Sequence, residues 1–512
     1  MTSSNELAII TPADVLPAAH VVDPYLFTDL SNARALVVMA RDTALWAPGL
    51  GWMWWDGMRW QPDEGDVSIS GAAKRVVLTL ATMLSEGSLE PEYRDEWRAW
   101  LKRSQNDGLL SSMLRVARTE PEIVAYVREL DADPNALNTQ SGIFDLTTFE
   151  LTPHDPAARH TKVTAAGFDP NAEAPFWLET VGKALPDPAI RRHVQKAFGQ
   201  ALRGTYSENL FILHGSGSNL KSTILDAVHY ALGDYADVPS ADLLIEQKGG
   251  SARGDSALAQ LRGVRLATAS ETGEGLPLAE PLIKTLTGDH TINCKFMRQD
   301  TFTYQNQASV FLATNHRPRV QGSDEAIWRR LQLIPFDYVV PNDERRDPEQ
   351  VRAILHAERD GILRWLVDGL RMWRTEGLEP APDAIRAATV TYRTESDPMA
   401  EWIEDEVVFE DGAFARVRDV RKSYEDHCEQ TGRSYPVAAQ RFNADLERRG
   451  CVRRKGQDQL GEAKMVRVGP AQLPAAAGLM VSRTVPNHSC TYQPMRFLPE
   501  EWIRRSGSER FA

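Results

Sequence analysis

The 512 residues are 42% apolar and 25% charged with a net charge of −13, the make-up of an ordinary soluble globular protein with room for about three domains at roughly 150 residues each. That acidic balance excludes a chain-wide cationic field for nucleic acid, so any such surface must be local. Four cysteines without a C-x-x-C pair exclude a zinc ribbon or disulfide framework, the first residues lack a signal-peptide pattern, and no run of about 18 apolar residues offers a membrane span, so a reducing cytoplasm is expected.

Residues 1–24 are rich in Pro and Ala and read as a flexible N-terminus. Residues 25–45 read as a helix. In "WAPGLGWMWWDGMRWQP", 46–62, Asp56-Gly57 lies between aromatic-rich runs and predicts a hairpin with a two-residue type I′ turn. Helical periodicity covers 70–130. Turns and short strands follow over 131–156, and "FDPNAEAP", 168–175, reads as a linker, so 25–175 form one mixed α+β domain. "DADP", 131–134, reads as a turn rather than as a metal-binding carboxylate pair. From 208 to 340 apolar runs alternate with helical stretches, which predicts an α/β core over 176–345 with a helical extension to 400. The acidic stretch "EWIEDEVVFED", 401–411, marks a boundary. Beyond it, 401–470 read as a winged-helix-like unit with helices over 417–428 and 438–450 and wing strands at "CVRRKG" and "KMVRVG", followed by a tail, 471–512. Residues 416–456 carry eleven Lys and Arg against six Asp and Glu. That local excess suits phosphate contacts from Arg441, Arg448, Arg449, Arg453, Arg454 and Lys455. A winged helix that docks protein is the competing reading.

"HGSGSNLKST", 214–223, departs at one position from the phosphate-loop pattern G-x-x-x-x-G-K-[ST]: Leu220 stands where glycine is usual. The apolar run "NLFIL" precedes it and the helical "KSTILDAVHYAL" follows, the strand–turn–helix context the motif needs. Gly215, Ser216, Gly217, Ser218, Asn219, Leu220, Lys221, Ser222 and Thr223 would then cradle phosphate through backbone N–H groups and a helix N-terminus. Lys221 would reach the β- and γ-phosphates, and the Ser222 hydroxyl would ligate Mg²⁺. Two further apolar runs end in polar groups, "VRLATASE" at Glu271 and "SVFLATN" at Asn315. Parallel strands would deliver Lys221, Glu271 and Asn315 to one sheet edge. Glu271 would assist the metal or polarise water, and Asn315 would orient water; taken singly, each also reads as a solvated strand end or a turn former. In "DEAIWRRLQLIPF", Arg329 or Arg330 could serve a neighbouring subunit as an arginine finger. Leu220 places a Cβ where a left-handed φ is usual, a strain of order 1–3 kcal/mol, so weakened but retained nucleotide binding is expected.

These stretches, with "GEGLPLAEPLIKTLTGDHTINCKFMRQDTFTY" and "FLATNHRP", resemble in order and spacing the superfamily 3 helicase domain of phage and plasmid primase-helicases, a group that includes poxvirus relatives. "WMWWDGMRW" and "LNTQSGIFDLTTFELTPHDP" resemble the domain that precedes that core, so the likeness covers about residues 25–400. The resemblance implies an AAA+-like P-loop ATPase that uses ATP and Mg²⁺ and assembles as a hexameric ring around single-stranded or forked DNA. It gives Lys221 and Ser222 the Walker A roles, Glu271 the Walker B role, Asn315 sensor 1, and Arg329 or Arg330 the finger. "INCKFMRQD", 292–300, matches the hairpin that enters the ring channel, with Lys295 and Arg298 on phosphates. Because no priming domain is apparent ahead of the core, a separate primase or replication initiator is the expected partner. A nucleotide-binding loader or structural ring with weak turnover is the main alternative, and Leu220 keeps it open; the motifs argue against a packaging or segregation ATPase.

Overall fold

A reciprocal capping box starts α1 (Asp29–Ala40): the Thr28 hydroxyl accepts from Ser31 N, and the Ser31 hydroxyl accepts from Thr28 N. The computed structural model describes residues 27–88, 91–238, 244–246, 252–270, 277–295, 301–320, 325–397, 399–407, 409, 414–431, 436–451 and 465–466. The first 26 residues, the whole of the tail, 471–512, and the "CVRRKG" wing strand from residue 452 lie outside them. Two units, 1–396 and 397–512, are each taken by themselves.

The first helix stops at Ala40 rather than running to residue 45. Residues 44–47 instead form β1 (Ala44–Ala47), paired antiparallel with β2 (Gly51–Trp55) and tied to Ile123 O through Trp46 N. Sheet pairing here overrides the helical preference of an alanine-rich stretch. β3 (Trp60–Pro62) completes the sheet, with Trp55 opposite Trp60. The hairpin loop is therefore four residues, Asp56–Arg59, not two. The Asp56 carboxylate accepts from Met58 N and Arg59 N and builds the turn itself. Helices α2 (Val67–Ser85), α3 (Arg94–Ser104) and α4 (Asp107–Ala117) pack with α1 into one apolar core. α2 is long and apolar enough in composition to cross a membrane, yet it buries Ile69, Val76, Val77 and Leu80 in that core. A second small sheet, β4 (Ala136–Thr139), β5 (Gly142–Asp145) and β6 (Leu151–Thr152), follows. The two DADP carboxylates serve different partners: buried Asp131 meets Arg262 at 3.3 Å, and Asp133 accepts from Asn135 N.

Helices α5 (Pro175–Ala184) and α6 (Pro188–Ala201) lead to β7 (Leu210–His214) and α7 (Lys221–Leu232). Next come β8 (Ala236–Asp237), α8 (Ala252–Gln260), β9 (Leu266–Ser270), α9 (Glu280–Leu286) and the hairpin of β10 (Thr291–Cys294) and β11 (Phe302–Gln305). β12 (Ser309–Thr314), α10 (Glu325–Trp328) and β13 (Leu331–Pro335) complete a five-stranded parallel sheet in the order β13-β7-β12-β9-β8. This is a mixed α/β architecture on a parallel sheet. Its strands read as continuous apolar runs because both faces are covered. Phe211, Leu213 and Phe311 enter one core, and Leu210, Ile212 and Leu312 the other. Phe311 stacks between Phe198 and Phe211 at 4.5 and 4.6 Å.

Helices α11 (Pro348–Ala357), α12 (Arg359–Glu376) and α13 (Asp383–Ser396) close the unit. α12 lies hard against α6. A Cβ on Gly199 would fall 2.1 Å from Leu370 N, and one on Gly369 would fall 2.1 Å from Gln195 O. Only glycine permits that approach.

The second unit packs α14 (Ala400–Glu406), α15 (Val417–Gln430) and α16 (Ala439–Arg448) around Trp402, Tyr424, Phe442 and Leu446. A short antiparallel pair joins β14 (Phe414–Ala415) to β15 (Met465–Val466).

Candidate functional site

The carboxyl ends of three neighbouring strands are flush: Thr314 pairs with His214, and Ala313 with Ser270. The loop 215–220 leaves β7 at that edge and runs into α7. Gly215 is pressed against the end of β13, where a Cβ would sit 2.1 Å from Phe336 O and 2.5 Å from the Asn219 amide nitrogen. Asn219, 3% exposed, donates from that amide to Phe336 O at 3.2 Å. Phe336 N donates to His214 O and Val340 N to Ser218 O, so the segment after β13 braces the loop.

Lys221 opens α7 and is 4% exposed. Its ammonium donates to Gly215 O at 2.7 Å, Asn219 Oδ1 at 2.9 Å and Asn315 Oδ1 at 3.1 Å. All three acceptors are neutral, and among the described residues Lys221 makes no ion pair. Burial lowers its pKa to about 8. Burial and the Arg317 and Lys221 cations also hold His214 below its usual value, so its imidazole stays neutral beside the ammonium. The first turn of α7 has no side-chain cap, Ser222 is exposed, and Thr223 is half-buried. Free N–H groups at a helix N-terminus, a hydroxyl and an un-neutralised ammonium are the donor set of a phosphate site. The residues therefore fit the phosphates of a nucleotide, and the exposed Ser222 hydroxyl offers one oxygen to a metal ion.

Leu220 occupies the left-handed region at φ 65°, ψ 5°, as does Ser218 at φ 61°. The leucine thus adopts the conformation that glycine would supply, and its side chain packs on the neighbouring core. It also lines a cavity of about 310 Å³ with Ser218, Thr223, Phe176, Tyr338 and Val351.

The structure thus brings Lys221 and Asn315 into contact and puts Ser222 beside them. Glu271 follows β9 directly but lies outside the described residues, as do Arg298 and Arg453. Arg329 and Arg330 precede β13 and so stand at the opposite edge of the sheet, roughly 17 Å away at about 3.3 Å per strand residue. Neither can reach the loop of its own chain. Arg329 is exposed, whereas Arg330 is turned inward and donates to Ala326 O at 2.7 Å. Lys295 is exposed at the end of β10. In the second unit Arg448 pairs with Asp445 and Arg449 with Asp397, which ties up two cations counted towards phosphate contact. The sequence places Asn219 in the phosphate cradle only through its backbone. Its bridge to Phe336 has no sequence signal, because the partner is a backbone carbonyl 117 positions away.

This fold and site define a class: a mixed α/β protein whose parallel sheet presents a strand–turn–helix loop with a buried lysine at its carboxyl edge. Residues 33–186 match the family described as "D5 N terminal like", and 213–330 match "Family of unknown function (DUF5906)". A "Putative helicase" of Acanthamoeba polyphaga mimivirus is 26% identical over 303 residues, covering 55% of this chain and 32% of that protein. A "Putative primase" of African swine fever virus is 22% identical over 325 residues, covering 59% and 34%. The apo structure of the NrS-1 C terminal region aligns with a TM-score of 0.43 at 13% identity, over 71% of this chain and 89% of that one. Together these matches support a likeness to phage and viral primase-helicases. The chain spans about a third of the length of these curated relatives.

Proposed function

We propose that this chain is an ATP-dependent DNA helicase of a phage or prophage replication system, acting in the cytoplasm of its host. One observation carries the reading: the buried Lys221 ammonium, held only by neutral oxygens, stands at an uncapped helix N-terminus. A polyphosphate completes that charge balance. Names of the family relatives, helicase and primase, support the replication setting.

In this reading Lys221 exchanges the Gly215 carbonyl and the Asn315 amide oxygen for β- and γ-phosphate oxygens. Asn219 keeps the ammonium aimed into the loop, and Asn315 then becomes free to orient a water. The base and ribose enter the cavity beside Leu220 and Thr223. Mg²⁺, held by Ser222 and Glu271, supplies charge neutralisation at the reacting phosphates when bound. Arg329 acts on a neighbour's site, which calls for a ring, and a hexamer is the expected form. Lys295 and Arg298 meet DNA phosphates in the channel. A separate primase or replication initiator is the expected partner.

ATP hydrolysis measured with and without single-stranded DNA, beside Lys221→Ala, tests this. The proposal requires DNA-stimulated turnover that Lys221→Ala removes. Binding without turnover would instead favour a nucleotide-dependent loader or structural ring.

A further inference from the structure

A cleft of about 740 Å³ opens away from the nucleotide loop, where the ends of α6 and α12 meet the base of the β10–β11 hairpin. Its volume is in the range of ligand sites. The Arg203 guanidinium lies 4.7 Å from the Trp373 ring centroid. Across the lining, Tyr206 meets His290 edge-on at 5.3 Å and is oriented by its hydroxyl, which donates to Gly288 O.

Most cations around the end of α12 are neutralised. Arg192 pairs with Glu376, Lys196 lies 3.6 Å from the same carboxylate, and Arg371 lies 3.0 Å from Asp368. Arg203 and Arg374 differ: among the described residues neither makes an ion pair. Arg203 is half-buried, and both burial and the Arg374 cation lower its pKa. An anion would relieve both. The acids of the lining do not supply one. Both oxygens of Glu379 are engaged, by the Gln332 amide at 2.9 Å and by Ala381 N at 3.1 Å. Glu208 is exposed. Unpaired arginines beside half-buried aromatic rings are the chemistry that holds single-stranded nucleic acid, with rings against bases and guanidinium groups on phosphates.

We propose that this cleft is a second contact for single-stranded nucleic acid, with a base stacked against Trp373 or Tyr206 and a phosphate on Arg203. Arg374, 5.5 Å from the Phe149 ring centroid and outside the lining, adds to the positive field at its rim. The proposal rests on the nucleic-acid half of the functional reading and not on the nucleotide loop. Position supports it, since His290, Thr291 and Gln305 stand at the base of the hairpin whose far end carries Lys295. A strand engaged by the hairpin would have a place to continue.

The test uses the full chain and a fluorescent oligothymidylate of about 20 nucleotides, long enough for one such site. Arg203→Gln with Arg374→Gln should lower affinity by about tenfold and reduce the salt slope by about 0.7 per lost phosphate contact. Glu208→Gln should strengthen binding. Trp373→Phe should keep binding where Trp373→Leu loses it, and thermal melting of each variant separates loss of contact from loss of fold. Oligonucleotides carrying 5-iodouracil should crosslink to Tyr206 or Trp373. Unchanged affinity and slope in the double arginine variant, with crosslinks only elsewhere, would overturn the proposal. So would weakened self-association with intact oligonucleotide binding, which would make the cleft a subunit contact. Failure of the unmodified chain to bind oligonucleotide at all would count against the nucleic-acid reading itself.

Discussion

Replacing Leu220 with glycine separates two places where backbone strain could act. Leu220 sits at φ 65° in the free protein, so the loop already has the shape that a glycine would give it. Holding a non-glycine residue there costs about 1–2 kcal/mol. Its half-buried side chain returns about 1 kcal/mol, taken as half of the low end for full burial of a leucine. Glycine would remove the strain, lose that packing and add about 0.5–1 kcal/mol of unfolded-chain freedom. The three terms nearly cancel, so melting should show stability within about 1 kcal/mol of the unmodified protein. Nucleotide affinity, read by calorimetry with a non-hydrolysable ATP analogue, should change by less than about threefold, or ~0.7 kcal/mol. This differs from the weakened binding expected from the loop pattern, because the strain is met in folding and not on binding. A gain of tenfold or more on Leu220→Gly would refute the reasoning, since it would mean that the leucine holds the loop away from its ligand-bound shape.

Lys221 makes binding sensitive to pH. Its pKa is lowered to about 8 in the free protein and rises when phosphate arrives, so nucleotide binding near pH 8–9 should take up protons, as calorimetry in buffers of different ionisation heat would register. In the free protein the sign is opposite to that of a salt-bridged lysine: stability should rise as pH climbs from about 8 towards the unfolded value near 10.4, because the unfolded chain then holds the extra proton. Arg329→Ala should cut hydrolysis by ~10³-fold with ATP binding kept, and Arg330→Ala by less, since Arg330 is turned inward; mixing Arg329→Ala with Lys221→Ala chains should restore turnover only if the finger works between subunits. Lys295→Ala with Arg298→Ala should abolish unwinding in a strand-displacement assay while basal ATP hydrolysis stays. Gly369→Ala should lower stability by about 1–3 kcal/mol in denaturant titration, because its methyl group would meet the Gln195 carbonyl.

Much of the central sheet was legible because its strands are buried on both faces. "NLFIL", "VRLATASE" and "SVFLATN" carry apolar runs too short for helices, and their strands end at His214, Ser270 and Thr314 on one sheet edge. The contact of Lys221 with Asn315 could be anticipated, since both leave neighbouring parallel strands at the same edge. Other features depend on distant partners. Ala44–Ala47 carries helix-forming residues and becomes a strand only through pairing with Gly51–Trp55. The Asp56-Gly57 signal marked a true hairpin, but a side-chain turn lengthened the loop beyond what the dipeptide implies. In the second unit, counting charges overstated the free cations, because Asp397, outside the counted stretch, pairs with Arg449, and Asp445, one turn earlier on the same helix, pairs with Arg448. The cleft at Arg203 draws on three segments separated by tens of residues, and no spacing rule joins them.

Equilibrium titration of ATP with Mg²⁺ onto the unmodified chain and onto Lys221→Ala tests the central claim most directly. The account predicts saturable binding with proton uptake near pH 8, and loss of both in the variant. No heat at millimolar nucleotide, or equal binding by Lys221→Ala, would contradict it.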